Sequence, residues 1–197
     1  MSLGKLLVGL GLVATLSQEG FEEIREQNGV RVYGHSQKHA IELGAEGLIE
    51  APPSVVLAVL LDYASHPRWV HGLAESRVLA RDASSLDVYQ RLSLPVVDDR
   101  DYTLHVTWGE DDATRWLHFS TANERGPQPR AGIVRVPFNQ GSWRLYSLEG
   151  GKVTYAVYKF TLELGGSLPS WLGRGRAGKD VAKLFESVRD QTRYYRR

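Results

Sequence analysis

The chain contains no cysteine, which removes disulfides, thiol catalysis and every thiolate metal site. It also lacks a surplus of either charge. Its 24 Lys and Arg against 23 Asp and Glu give a formal net charge of +1, without the basic excess by which phosphate binding shows itself, so no nucleic acid is expected as a partner. No apolar run reaches the roughly 20 residues that a membrane-spanning helix needs, and a soluble mature protein is expected. Motifs of covalent chemistry are missing as well. There is no Gly-x-Ser-x-Gly elbow for a hydrolase, no His-Glu-x-x-His, and no glycine loop in a strand–turn–helix context for a nucleotide. His66 and His71 are separated by a proline-containing turn, and no metal site, cofactor or catalytic residue is read from this sequence.

What is present suits one globular domain. The chain has 197 residues, 42% of them hydrophobic and 24% charged, with five Trp and nine Tyr to supply large amphipathic core pieces. The N-terminus stands apart. A single positive charge within Met1 to Lys5 precedes an apolar run from Leu6 to Leu16, and small residues follow at Thr15-Leu16-Ser17. Residues 1–17 read as a short secretory signal peptide, with a helix packed on the domain as the other reading. Cleavage would place residues 18–197 in the periplasm or outside the cell, whereas retention would leave the protein cytoplasmic.

Beyond the leader, Phe21 to Arg25 reads as a helical turn or two, and Asn28-Gly29 as a turn. Val30 to Tyr33 and Ile41 to Ile49 alternate as an early hairpin. Ala51-Pro52-Pro53-Ser54 opens a helix whose Val55, Val56, Val59, Leu60 and Tyr63 recur at helical spacing, and His66-Pro67-Arg68-Trp69 ends or redirects it. Antiparallel strands are then expected near residues 75–81, 86–94, 101–109, 115–123, 132–136, 142–148 and 152–164. Tips are expected at Gly109-Glu110-Asp111-Asp112 and Gly150-Gly151. A final helix carries Val181, Leu184, Phe185 and Val188 as one stripe at spacings of three and four. A large curved sheet followed by one long amphipathic helix packs best with the helix in its concave face.

Four motifs in order give the chain a resemblance to the START (steroidogenic acute regulatory protein-related lipid transfer) family of the helix-grip superfamily. They are Gly29-Val30-Arg31-Val32-Tyr33 followed by Ala51-Pro52 and His66-Pro67-Arg68-Trp69-Val70; Tyr89 leading through Leu94-Pro95-Val96-Val97-Asp98 to Asp99-Arg100-Asp101-Tyr102; Gly141-Ser142-Trp143-Arg144-Leu145; and Gly165-Gly166-Ser167-Leu168-Pro169-Ser170-Trp171-Leu172. The set spans roughly residues 20 to 190, and the short single-domain bacterial members are the most similar. Relatives often carry Pro-Trp-Pro where this chain has Leu94-Pro95-Val96, so the pocket floor is expected to differ. The resemblance implies an α+β helix-grip fold, a large curved antiparallel sheet wrapped around a long C-terminal helix with a short helical pair after the first hairpin. It also implies non-catalytic binding, and transfer, of one lipid or sterol-like ligand by a monomer.

Within that frame Arg100 is the first candidate ligand contact, because it precedes Tyr102, Leu104, Val106 and Trp108 at strand period two and a buried guanidinium needs a partner. The family implies a cavity-facing arginine there, with an acid across the pocket for which Asp87 is a weak candidate. A surface pair of Arg100 with Asp98 or Asp99 is the other reading. Trp69, Tyr89, Tyr102, Trp116, Trp143, Tyr158 and Phe160 are candidate pocket walls, as opposed to plain core, and His118 joins them by alternating in phase with Trp116. Glycine costs about 1 kcal/mol per helical position relative to alanine, so Gly173, Gly175 and Gly178 mark a loosened helix start and an expected gate. Arg174, Arg176 and Lys179 could touch anionic head groups transiently, or form a solvated face. Two rival functions stay open: a polyketide aromatase/cyclase using the same cavity, and a protein-interaction module using the sheet edge or loop 124–132.

Overall fold

The computed structural model describes residues 16–35, 40–93, 95–111, 114–166 and 174–195. The chain runs β1 (Glu22–Gln27), β2 (Val30–His35), β3 (Ile41–Ile49), α1 (Pro53–Leu61), a 3₁₀ segment (Tyr63–Arg68), β4 (Leu73–Arg81), β5 (Ser85–Leu92), β6 (Asp99–Asp111), β7 (Thr114–Thr121), β8 (Ile133–Arg135), β9 (Phe138–Leu148), β10 (Val153–Glu163) and α2 (Arg174–Tyr195). Ten strands form one sheet in the order β1-β2-β3-β10-β9-β7-β6-β5-β4, with β8 off this path on β6. The helix-grip expectation holds: α2 lies on the face of the sheet from which Val32, Leu43, Leu145 and Val106 project, and its own Val181, Phe185 and Val188 join them in one core.

Three details depart from the sequence reading. Residues 22–27 are strand, not helix. Asn28 and Gly29 both take positive φ, 50° and 69°, which makes a tight hairpin turn that pairs β1 with β2 directly. A five-residue helix would have had to nucleate without any such pairing. β8 runs parallel to β6, over Asp99–Asp101, where the other pairings are antiparallel. Gly109, Glu110 and Asp111 of the expected tip continue β6, while Asp112 lies outside the described residues; a Cβ on Gly109 would lie 2.5 Å from the Trp116 ring that covers it.

The convex side carries its own small core. Glu46 is fully buried there, accepting hydrogen bonds from the Tyr33 and Tyr155 hydroxyls at 2.7 Å each and facing the Arg31 guanidinium at 2.5 Å. Burial, reinforced by the hydrogen bond to Glu46, holds both tyrosines far above their ordinary pKa. Leu16, within the segment read as leader, packs over Gly44, where a Cβ would lie 2.6 Å from its Cδ1. Gly141 of the third motif is explained in the same way. A Cβ there would stand 2.3 Å from the Lys159 carbonyl and 2.4 Å from the Phe119 ring, so only glycine lets β9 approach β10 at that point.

Candidate functional site

Between the concave face of the sheet, α1, the 3₁₀ segment and α2 lies an inner hollow of about 150 Å³. Sheet period two decides what reaches it. Tyr102, Leu104, Leu117, Phe119, Trp143 and Tyr158 alternate inward from four neighbouring strands and line it. The 3₁₀ segment supplies the end wall. Tyr63, His66 and Trp69 sit three residues apart, the spacing that eclipses side chains in such a helix, and their rings contact in series at 4.5 and 4.6 Å. Trp143 and Tyr158 stack at 4.4 Å and add a further part of the wall.

A groove of about 210 Å³ continues outward between β10 and α2, lined by Ile41, Phe160, Leu162, Leu164, Val181 and Leu184. The two spaces share Val70, Leu92, Tyr158 and Leu184 in their walls, so groove and hollow are neighbours between sheet and helix. Among the described residues lining the groove the charged ones are Arg176, Asp180 and Lys183, all on α2.

The hollow's polar atoms are uncharged. Burial pushes the hydroxyls of Tyr63, Tyr102 and Tyr158 far above their ordinary pKa, so they stay protonated. Burial also lowers His66 from 6.5 to about 4, against the smaller opposing pull of the Val59 carbonyl and Asp62. Its Nε2 is buried without a hydrogen-bond partner. The folded pKa lies below the unfolded one, so between about 6.5 and about 4 the unfolded chain binds a proton that the folded chain refuses. Stability should therefore fall as pH drops through that window, by an amount on the order of 3 kcal/mol once the pH is below about 4. Urea unfolding at pH 7 and pH 4.5 should show most of this loss, and His66→Gln should flatten it; an unchanged slope in the variant would assign the loss elsewhere.

Of the residues expected from sequence, Trp69, Tyr102, Trp143 and Tyr158 line the inner hollow, and Phe160 lines the groove. The others lie elsewhere. Tyr89 faces the convex side, where its hydroxyl donates to Asp101, itself held by Arg135 at 2.6 Å. Trp116 and His118 also face outward, their rings 4.9 Å apart, because Leu117 and Phe119 take the inward phase of β7. His118 borders an open polar trough with His105, Arg144 and Lys159. Asp87 is bound to His105 at 2.7 Å and Arg125 at 3.2 Å, so it is no acid across a pocket from Arg100.

Arg100 is 2% exposed and therefore not a surface pair, yet it lines neither the hollow nor the groove. Its Nη1 donates to the Asp98 carbonyl, its Nε has no partner, and Gly166 and Val134 pack beside it. Asp99 is taken by Arg91. The guanidinium thus braces the β5–β6 turn against the Gly165-Gly166 segment, both of whose glycines have positive φ. Gly173 lies outside the described residues, and Gly175 is in the first turn of α2. Gly178 is buried where α2 crosses β1 and β2, with Ile24 and Val32 around it. The sequence reading missed Tyr63, His66, Gln90 and Asn139 as lining residues. The ring spacing of 63, 66 and 69 was the available signal for the first two.

Residues 49–189 match the family model described as polyketide cyclase / dehydrase and lipid transport. An uncharacterized protein of Pseudomonas aeruginosa is 29% identical over 166 residues, 82% of this chain and 81% of that relative. Among solved structures, the STAR-related lipid transfer protein from Xanthomonas axonopodis (fragment 25-204) is similar with a TM-score of 0.79 and 24% identity, over 88% of this chain and 99% of that one. Human StAR-related lipid transfer protein 5 gives 0.79 at 14% identity, over 98% and 94% of the two chains. The Zhui aromatase/cyclase from Streptomyces sp. R1128 gives 0.56 at 14% identity, over 81% and 97%. At such identities the likeness is one of fold, and that fold is the START-type helix grip.

Proposed function

Because the chain belongs to the polyketide cyclase / dehydrase and lipid transport family, we propose that it is a carrier, not an enzyme, holding one hydrophobic molecule between sheet and helix. The observation that supports this most is a mostly apolar groove beside a hollow lined by aromatic, aliphatic and uncharged polar side chains. Burial there contributes about 25 cal/mol per Å² of apolar surface, so a few hundred Å² outweigh the cost of association without any reacting group. The described space suits the front of a ligand, and longer molecules require α2 to lift.

The helix is fastened unequally in a way that suits such lifting. Its C-terminal half is tied to the β1–β2 turn and β3: Arg189 donates to the Leu48 and Asn28 carbonyls at 2.9 and 2.7 Å, and Glu186 accepts from Gln27 and Asn28. Its N-terminal half covers the groove and carries the glycines. Gly178→Ala should add up to about 1 kcal/mol of helix stability. The new methyl would meet the flexible tip of Ile24 at 3.1 Å, which must give slightly, and Val32 Cγ1 at an ordinary 3.7 Å. Ligand exchange between vesicles should then slow several-fold, and an unchanged exchange rate in a stabilised variant would remove the gate from the account.

Membrane contact is part of this reading. Val96 is 88% exposed, with a left-handed φ of 61° that a β-branched residue adopts only under strain. It sits on the connection whose Ser93 amide bonds the Gly72 carbonyl beside the groove mouth. With Arg176 and Lys183 on the opposite rim, this edge is suited to an anionic lipid surface, met transiently by a monomer. Export follows from the leader reading, with cleavage N-terminal to Leu16 so that its packing over Gly44 is kept.

A cyclase using the same hollow is the second reading, favoured by the family description and by His66 beside Tyr63. Native mass spectrometry of the full chain taken directly from cells separates the two. An intact, non-covalent lipid mass supports the carrier. A cyclised polyketide or an acyl-carrier adduct supports the enzyme, and empty protein contradicts both.

A further inference from the structure

We propose that the ligand enters ring first, and that its leading end is a single uncharged ring bearing a hydroxyl, an alkylphenol-like group with an apolar tail trailing into the groove. The inference rests on the carrier reading and narrows it to a chemical class.

Size is the first argument. A hollow of about 150 Å³ is the volume in which a buried apolar site holds one benzene-sized ring, and it is too small for a folded acyl chain or a phospholipid head group. Shape is the second. The stacked Trp143–Tyr158 pair and the His66–Trp69 pair both line the hollow, and their aromatic surfaces favour a planar guest over a branched one.

Polarity is the third, and it points to a hydroxyl. His66 lines the hollow, and its Nε2 is buried with no partner among the described residues, a cost that a guest hydroxyl would remove once the ring turns to meet it. Tyr63, Tyr102 and Tyr158, from the 3₁₀ segment and two non-adjacent strands, all line the same hollow. Each brings a hydroxyl that can donate and accept. Among the described residues no Asp, Glu, Lys or Arg lines the hollow, so a carboxylate or phosphate carried to its end would lose its hydration with no countercharge from them. Charged groups are acceptable only at the rim, near Arg176 and Lys183. A guest that satisfies all three conditions is neutral, planar and hydroxylated at one end.

Three probes of equal tail length test this on the full chain by titration calorimetry and by the fluorescence of Trp69 and Trp143: para-heptylphenol, heptylbenzene and para-heptylbenzoate. The phenol should bind at least about 10-fold tighter than the hydrocarbon, the worth of one net buried hydrogen bond, and about 100-fold tighter than the benzoate. His66→Leu and Tyr63→Phe should each remove the advantage of the phenol over heptylbenzene, with the affinity for heptylbenzene kept. The probe ranking on the unaltered chain stands even where a variant fails to fold. Equal binding of phenol and hydrocarbon, or tighter binding of the benzoate, overturns the proposal and leaves the carrier intact. If no probe binds while cell-derived protein carries a lipid mass, the ligand class alone is wrong. If no probe binds and the protein comes from cells empty, the carrier reading falls with it.

Discussion

The double substitution Leu104→Phe with Leu117→Phe should weaken uptake of a neutral apolar probe such as N-phenylnaphthylamine by at least about 100-fold, or about 2.8 kcal/mol, while leaving the protein as stable as before. Both leucines are buried and both border the hollow, from β6 and β7. In a filled core, each enlargement would cost about 1–3 kcal/mol, because interiors are packed at crystal density and the added atoms must displace neighbours. In an unfilled hollow the phenyl rings occupy space that no side chain holds, and the packing term reverses sign. The pair of readouts is therefore decisive. Loss of binding with an unchanged or raised melting temperature identifies a ligand space, whereas loss of binding with a fall of several degrees identifies an ordinary core.

The second large effect belongs to the opposite face of the sheet. Glu46→Leu should destabilise the protein by about 3–5 kcal/mol, the range seen when one partner of a buried charged network is removed. Its carboxylate is the common acceptor for Tyr33 and Tyr155 and the counter-ion of Arg31, and leucine would leave those groups buried with nothing to bond. For a chain of 197 residues this corresponds to a drop in melting temperature of about 10–15 °C. Glu46→Gln, which keeps a carbonyl acceptor, should cost less. A loss below about 1 kcal/mol for Glu46→Leu would show that the cluster is solvated, and that the β2–β3–β10 wall carrying α2 is held by other contacts.

How legible was this architecture in the sequence? Where one periodicity dominated, it was read well. The stripe Val181, Leu184, Phe185 and Val188 does seat α2, and Pro53 does open α1. Misreadings arose where a local pattern has two solutions. Residues 22–27 carry no strong strand signal of their own, and only the turn at Asn28-Gly29 makes them an edge strand. Alternation showed that Trp116 and His118 share a face, as do Tyr102, Leu104 and Val106, but period two cannot say which face meets the helix. For β7 the answer came from Leu117 and Phe119. Arg100 keeps the phase of Tyr102 yet lies past the end of the hollow, a matter of position along the strand that no alternation encodes. His66 was passed over because a lone histidine carries little information. Its meaning comes from being enclosed by Tyr63, Trp69 and the sheet.

The account depends on the space bounded by Tyr63, Leu104, Leu117 and Tyr158 being open to a guest. A crystal of the full chain exposed to benzene tests this most directly. Electron density for one ring between the Trp143–Tyr158 stack and His66 is the predicted result. The same walls closed on each other, with their own side chains filling the space and no guest ring bound, would contradict the account.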